Sequence, residues 1–137
     1  MLYKIMEEIK KGRVVKRGYR AEKRRMDELR KEGWVVFRVS GSIGYIDILA
    51  FREKGKKFEI LLEQVKSTKS HVFYFDKRSL DEFTRLLYIQ GKLPSLTCNF
   101  VIYGKVKNKI VKKVLNLKKY NLPPLKYDFK TNQIYFR

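Results

Sequence analysis

Two acidic residues stand at positions where the sequence pattern predicts burial. Glu22 shares one face of a predicted helix with Met26 and Leu29, because residues three or four apart lie on the same side of a helix. Asp47 interrupts the apolar run 45–51, a predicted strand in which a charge is costly unless it binds a cation. An exposed ion pair with a neighbouring cation is the alternative for Glu22. For Asp47 the apolar surroundings favour a functional role.

A glutamine and a lysine end the next predicted strand. Gln64 and Lys66 share one face of it because strand side chains alternate, and the same alternation directs Glu63 to the other face. Magnesium prefers a few oxygen ligands together with retained waters, which Glu22, Asp47 and Gln64 could supply. The chemistry that this set predicts is phosphodiester hydrolysis. In that reaction the metal activates water, and Lys66 orients the water or neutralises developing charge.

The single cysteine and the single histidine exclude several other chemistries. Cys98 cannot form an internal disulfide or a cysteine-based zinc cluster, and His71 alone cannot build a histidine metal site or a Ser-His-Asp triad within one chain. The first eleven residues are interrupted by charges, unlike a signal peptide, and no apolar run is long enough to span a bilayer. We therefore expect a cytoplasmic protein.

The charge balance predicts a polyanionic partner. Lysine and arginine number 33 against 14 acidic residues in 137, which gives a formal net charge of +19. Such an excess repels itself unless a polyanion lies nearby, and the cations are spread along the chain and not gathered on one amphipathic helix. Nucleic acid is therefore favoured over a membrane surface. A ribosomal or chromatin protein, or the lysine-rich surface of a heat-tolerant protein, would have a similar composition.

A basic segment precedes the predicted helix that carries Glu22, and it would suit the phosphates of a DNA arm. The residues predicted to contact DNA are Lys11, Arg13, Lys16, Arg17, Arg20, Arg38 and Lys69. The aromatic residues in 71–75 could stack on exposed bases, although core packing is the more common role of such residues.

The periodicity of the chain predicts one α/β domain over 1–137, with a central sheet flanked by helices. Predicted helices cover 2–9, 20–31 and a stretch from Ser79 to about Gly91, in which Ser79 is the N-cap and Glu82 completes a capping box. Predicted strands cover 34–39, 45–52, 58–66, 71–75, 100–103 and 133–136, and the first three form a meander. The period of 105–119 is ambiguous, and Pro123 and Pro124 break any regular element.

Four ordered motifs resemble the archaeal Holliday junction resolvases, within the superfamily named for its aspartate and Glu-x-Lys signature. The segment 17–22 resembles the family's basic-glycine entry to its catalytic helix, and 33–42 is similar to its glycine-aromatic strand with the following serine loop. The segment 47–50 resembles the metal-binding strand, and 64–66 occupies the Glu-x-Lys position. The resemblance covers about half of the chain, and each motif alone is weak.

The resemblance implies a restriction-endonuclease-like fold and a homodimer with two active sites that cuts a four-way DNA junction. It implies metal ligation by Glu22, Asp47 and Gln64, with Mg²⁺ as the expected cofactor and Mn²⁺ as an alternative. It also implies that Lys66 supports catalysis and that Ser42 is a catalytic loop serine. The nuclease core would span about 13–104, with 105–137 as a C-terminal extension.

One position departs from the family pattern, because residue 64 is glutamine and not glutamate. An amide oxygen can still ligate magnesium but attracts it less than a carboxylate does, although some branches of the superfamily carry Gln-x-Lys and are nucleases. Two other interpretations therefore stay open. One is a nuclease of the same fold with another DNA target, of nicking, restriction or homing type. The other is a catalytically silent DNA-binding protein.

Overall fold

The computed structural model describes residues 17–39 and 46–137. The helices of these ranges are α1 (Arg17–Lys31) and α2 (Lys77–Lys92), and a short 3-10 helix covers Leu117–Lys119. The strands are β1 (Val35–Arg38), β2 (Ile48–Lys54), β3 (Lys57–Ser67), β4 (Val72–Tyr74), β5 (Thr97–Val106), β6 (Lys109–Asn116), β7 (Lys126–Asp128) and β8 (Gln133–Tyr135). The helix predicted for 2–9 lies outside the described residues.

A five-stranded mixed sheet organises the fold, in the order β1-β2-β3-β5-β6. The pair β3–β5 is parallel and the other pairs are antiparallel, so β1, β2 and β3 form the predicted meander. The crossover from β3 to β5 carries β4 and α2. The predicted fold class, an α/β protein with a central mixed sheet flanked by helices, is confirmed.

Helix α1 forms because its apolar residues recur at helical spacing and form one buried face. Ala21, Met26 and Leu29 pack against β3 residues Leu61 and Val65 in one hydrophobic cluster. The chain leaves this helix through a glycine with a φ of 91°, a left-handed conformation that favours glycine. These contacts fix α1 against one face of the sheet.

Helix α2 covers the opposite face, and its start differs from the predicted one. It begins two residues before Ser79, with Asp76 as the N-cap, and the Asp76 side chain accepts a hydrogen bond from the Ser79 backbone N–H at 2.8 Å. The predicted N-cap at Ser79 and its capping box with Glu82 are therefore wrong. The helix also continues through Gly91 to Lys92. Ser79 and Glu82 are both buried on the face that meets the sheet.

The C-terminal residues pack onto the same body. Strand β6 pairs with β5 along its whole length, and β7 pairs with both β4 and β8 in a second, three-stranded sheet. The predicted strand near 133–136 is confirmed as an edge strand, β8. Gly104 has no side chain, which lets the Phe129 ring lie directly against β5. Whether 105–137 is an extension of a smaller core stays a prediction.

Neither helix in the described part of the chain is long and apolar enough to cross a membrane.

Candidate active site

Two carboxylates meet where α1 approaches the start of β2. Asp47 directly precedes β2, and it continues the pairing with β3 because its backbone N–H donates to the carbonyl of Glu63 at 2.8 Å. The Asp47 side chain accepts a hydrogen bond from the Val65 backbone N–H at 2.9 Å. Glu22, which is 8% exposed, lies within hydrogen-bonding reach of Asp47. The predicted burial of Glu22 is confirmed.

Burial and a like charge act together on Asp47. Burial raises the pKa of Asp47 to about 7, the Val65 N–H and the Lys66 ammonium oppose the rise, and the negative charge of Glu22 adds to it. One cation already contacts this pair, because Arg38 Nε lies 2.7 Å from Glu22 Oε2. The two carboxylates nevertheless hold more negative charge than their immediate contacts compensate, which is the electrostatic condition of a cation site.

The next strand brings Gln64 and Lys66 to the other side of this pair. The Val65 N–H that holds the Asp47 carboxylate belongs to the residue between Gln64 and Lys66, so the β3 segment that carries both lies beside Asp47. Lys66 acts electrostatically on Asp47, and its Nζ lies 2.5 Å from Oε1 of Glu82 on α2. The other oxygen of Glu82 accepts a hydrogen bond from Gln64 Nε2 at 3.0 Å. We call the set Glu22, Arg38, Asp47, Gln64, Lys66 and Glu82 the open cluster.

One oxygen of the open cluster fits a metal ligand. Gln64 is 3% exposed, and its Oε1 atom has no hydrogen-bond partner in the described ranges 17–39 and 46–137. A buried carbonyl oxygen without a partner is costly, unless it binds a cation or accepts a hydrogen bond from an ordered water. Together with the acid pair, this atom would offer the kind of oxygen ligands that Mg²⁺ and Mn²⁺ prefer. The same described ranges hold no group of three acidic, histidine or cysteine side chains placed for a metal.

Glu63 lies on the opposite side of β3, as the alternation predicts. It is fully buried and accepts hydrogen bonds from Arg25 Nε at 2.6 Å, from Arg25 Nη2 at 2.9 Å and from Asn99 Nδ2 at 2.8 Å. Arg25 also contacts Glu28, which accepts a hydrogen bond from the Tyr103 hydroxyl at 2.8 Å. We call these five residues the paired cluster. Glu63 is committed to it and is not directed toward Asp47.

A cavity lined by several cationic side chains includes sequence neighbours of the open cluster in its lining. Its volume is about 330 Å³, and its lining includes Arg20 and Arg24 from α1, Lys69 after β3, and Lys105 from β5. Ala21 and Ser67, which also line it, are the chain neighbours of Glu22 and Lys66. The structure therefore brings together two of the predicted DNA contacts, Arg20 and Lys69, at one cavity.

The other predicted site residues lie elsewhere. Ser42, Lys11, Arg13 and Lys16 lie outside the described residues, and only the backbone of Arg17 is described, at the first position of α1. Arg38 turns inward: its side chain is 14% exposed, it pairs with Glu22, and its guanidinium lies over the Tyr19 ring at 5.0 Å. Its Nη1 atom is buried without a hydrogen-bond partner among the described residues.

Sequence reasoning missed Glu82 and Arg24. Glu82 lies on the buried stripe of α2 with Ser79, Phe83 and Leu86, and it is 4% exposed. An acid on an apolar helix stripe is the pattern that identified Glu22, so the same test applied to α2 would have found Glu82. Arg24 carried no distinguishing pattern, because it is one of many cations on α1.

No protein-family model matches the chain. The curated crossover junction endodeoxyribonuclease Hjc of Methanocaldococcus jannaschii is 33% identical to this chain over 72 residues, which cover 53% of the chain. The aligned part spans about half the length of that relative. The solved structure of Archaeoglobus fulgidus Hjc, a Holliday junction resolvase from an archaeal hyperthermophile, superposes with a TM-score of 0.56. That superposition covers 85% of this chain and 88% of the other, at 19% sequence identity.

The two comparisons involve the same kind of protein, one through sequence over half of the chain and one through fold over most of it. They confirm the resemblance that the four motifs predict, and this chain has the fold of the archaeal Holliday junction resolvase family.

Proposed function

We propose that this chain is a metal-dependent endonuclease that acts as a homodimer on four-way DNA junctions and cuts them by paired phosphodiester hydrolysis. The observation that carries the proposal is the pair of close carboxylates, Glu22 and Asp47, beside the β3 segment that carries Gln64, whose carbonyl oxygen has no partner among the described residues. Its supports are the partial sequence match to a crossover junction endodeoxyribonuclease and the shared fold. The net charge of +19 favours DNA as the partner.

In the proposed reaction, Glu22, Asp47 and Gln64 Oε1 would hold the divalent ion. When bound, the ion polarises the phosphate and lowers the pKa of a water molecule, which supplies the nucleophile. The hydrogen bond from the Val65 N–H fixes the Asp47 carboxylate, so that its second oxygen stays available. Lys66 forms an ion pair with Glu82, and its ammonium group would stabilise negative charge on the phosphate.

Arg38 has a separate place in this proposal. Its Nε atom holds Glu22, and its Nη1 atom is the buried donor without a partner in the described part of the chain. A phosphate oxygen is a suitable acceptor, because guanidinium groups bind phosphates through more than one N–H. Arg38 would then link the acid pair to the scissile strand, whereas the cations of the cavity would contact the DNA arm.

The experiment that tests the site uses a synthetic four-way junction with Mg²⁺. We expect cleavage by the native chain and loss of cleavage by at least about a hundredfold in Asp47→Ala, with junction binding retained. Asp27→Ala is the matched control, because Asp27 is an exposed acid on α1 and should behave as the native chain. Equal cleavage by Asp47→Ala and the native chain would contradict the assignment.

The cationic cavity allows a second test of the same function. Substitution of Arg20 and Lys69 by alanine should weaken junction binding and reduce the salt dependence of binding by about one counterion per lost phosphate contact. Lys54 and Lys57, at the exposed β2–β3 turn, provide a control pair with the same loss of charge. A salt dependence that falls equally in both double variants would contradict a DNA contact at the cavity.

One observation favours a second candidate, a catalytically silent DNA-binding protein. Residue 64 is an amide, and no three acidic, histidine or cysteine side chains converge for a metal within the described residues. Such a protein would bind the junction but would not cleave it, whichever divalent metal is added. Cleavage of linear duplex as fast as the junction would favour the third interpretation, a nuclease of this fold with another target.

A further inference from the structure

Glu82 is a buried acid on α2 that contacts both functional side chains at the end of β3. Its side chain is 5% exposed, Oε1 lies 2.5 Å from Lys66 Nζ, and Oε2 accepts from Gln64 Nε2 at 3.0 Å. These two contacts link α2 to β3 across the sheet face opposite α1. Nothing in the proposed reaction above requires this carboxylate to touch the substrate.

The contact with Glu82 determines which way the Gln64 amide faces. An ionised carboxylate can only accept hydrogen bonds, so the amide nitrogen must be the atom that faces Glu82. The carbonyl oxygen, Oε1, is therefore held on the far side of the amide group. That oxygen is one of three buried side-chain atoms, with Arg38 Nη1 and Glu82 Oε1, that have no hydrogen-bond partner in the described ranges. Without Glu82, the amide could rotate and present its NH₂ group toward the acid pair, where it would repel a cation.

The same carboxylate also determines where the Lys66 charge is compensated. Lys66 lies close enough to Asp47 to act on it electrostatically, yet its ion pair is with Glu82. Because its ammonium contacts Glu82, Lys66 compensates the Glu22 and Asp47 pair only in part. The pair keeps the negative charge that would attract a divalent ion.

We propose that Glu82 is a positioning residue of this site: it supplies from α2 the carboxylate that position 64 lacks, holds Gln64 Oε1 as a neutral metal ligand, and tethers Lys66. This inference rests on the proposed function, since it assigns the roles of residues around the same metal. In a Glu-x-Lys site one strand provides both the acid and the lysine. Here the acid and the lysine come from two elements, with an amide between them.

The test measures Mn²⁺ binding to the full chain without DNA, by electron paramagnetic resonance of the free ion. Glu82→Gln keeps the size of the side chain and should weaken Mn²⁺ affinity by about tenfold, as changes in the groups that orient metal ligands do. Asp81→Asn is the matched control. It removes the same charge from the preceding residue, whose side chain is 63% exposed. The control should bind Mn²⁺ as the native chain does.

The decisive variant exchanges the two side chains, by Gln64→Glu together with Glu82→Gln. It conserves net charge and volume, places a carboxylate directly on β3 beside Lys66, and should restore most of the affinity lost in Glu82→Gln. The exchange also keeps the inference testable if Glu82→Gln alone fails to fold.

Three results would overturn the role of Glu82. They are an unchanged Mn²⁺ affinity in folded Glu82→Gln, an exchanged variant that binds no better than Glu82→Gln, and a native chain that binds no Mn²⁺. Junction cleavage is measured separately. A native chain that binds Mn²⁺ with the predicted dependence on Glu82 but cuts no junction would contradict the proposed nuclease and leave the role of Glu82 supported.

Discussion

Two groups of buried polar side chains flank β3, and they differ in how completely their charges are compensated. In the paired cluster, both oxygens of Glu63 accept hydrogen bonds, from Arg25 and Asn99. Burial lowers the pKa of Arg25, but its hydrogen bonds and charge interaction with Glu63 outweigh this effect and leave the pKa raised. In the open cluster, two carboxylates face each other and one carbonyl oxygen has no partner among the described residues.

Under the proposed function, this difference distinguishes a cluster with a structural role from a cluster that binds a ligand. Both clusters place ionisable groups against the same central strand, so burial alone does not distinguish them. The paired cluster is complete without a ligand, whereas the open cluster keeps an uncompensated negative charge and an unused oxygen. Such a site costs stability in the absence of its ligand, and that cost is expected where binding or catalysis requires it.

The largest effect should come from breaking the paired cluster. Glu63→Gln removes the charge that compensates buried Arg25, so we expect a loss of about 3–5 kcal/mol in the free energy of unfolding, measured by urea denaturation. Glu59→Gln is the matched control on the same strand, since its ion pair with Arg52 is partly exposed and should contribute less than about 1 kcal/mol. Equal losses in the two variants would remove the distinction.

The opposite sign is expected in the open cluster. Asp47→Asn removes a buried charge and its repulsion from Glu22, so at pH 8 without divalent ions it should raise the free energy of unfolding by about 2 kcal/mol. The folded pKa of Asp47 lies above its unfolded value of about 3.9, so the folded state binds the proton more tightly. Native stability should therefore fall as pH rises from about 4 to about 7, and this slope should flatten in Asp47→Asn. Destabilisation by Asp47→Asn at pH 8 would contradict the account.

A divalent ion should reduce that difference by stabilising the native chain. At ten times its dissociation constant, Mn²⁺ should stabilise the native fold by about 1.4 kcal/mol through preferential binding to the folded state. Asp47→Asn should gain much less, because one of its ligands is lost. Thermal unfolding with and without Mn²⁺ measures both, and an equal gain in the two proteins would place the ion elsewhere.

The smallest effect should come from the rim of the paired cluster. Lys112 pairs with Glu28 at 3.0 Å, and both side chains are about one third exposed, so Lys112→Ala should cost less than about 1 kcal/mol. Burial raises the pKa of Glu28, but contacts with Lys112, Tyr103 and Arg25 lower it by more, so the pKa is below its usual value. The stability that this pair contributes is thus present at neutral pH and lost in acid. A larger loss in Lys112→Ala at pH 7 than at pH 3 would agree.

Local patterns predicted most of the fold, because each signal depends on neighbouring residues. The β-branched runs predicted the meander, and helical spacing predicted α1 and most of α2. The start of α2 was wrong because Asp76 and Ser79 are both good N-caps, and only packing decides between them. The ambiguous 105–119 segment became β6 and the 3-10 helix, since pairing with β5 imposes a strand where the lysine-rich sequence does not specify one.

The predicted site was incomplete for a different reason. The acid pair and Gln64 were predicted because polar residues interrupt apolar patterns. Glu82 had a satisfactory local explanation in a capping box, so its true partners 16 and 18 residues earlier in the chain were not sought. Arg25 and Asn99, which complete the Glu63 cluster, likewise depend on contacts 38 and 36 residues apart. Partners at such separations follow from the fold and not from the spacing of residues.

The central claim is that the open clusters of two protomers cut two strands of a four-way junction. A supercoiled plasmid with an extruded cruciform tests it most directly, because paired cuts within one binding event give linear DNA, whereas a single cut gives a nicked circle. With Mg²⁺, the account predicts linear product from the native chain and none from Asp47→Ala. Nicked circles alone, linear product from Asp47→Ala, or no cleavage with any divalent metal would contradict it.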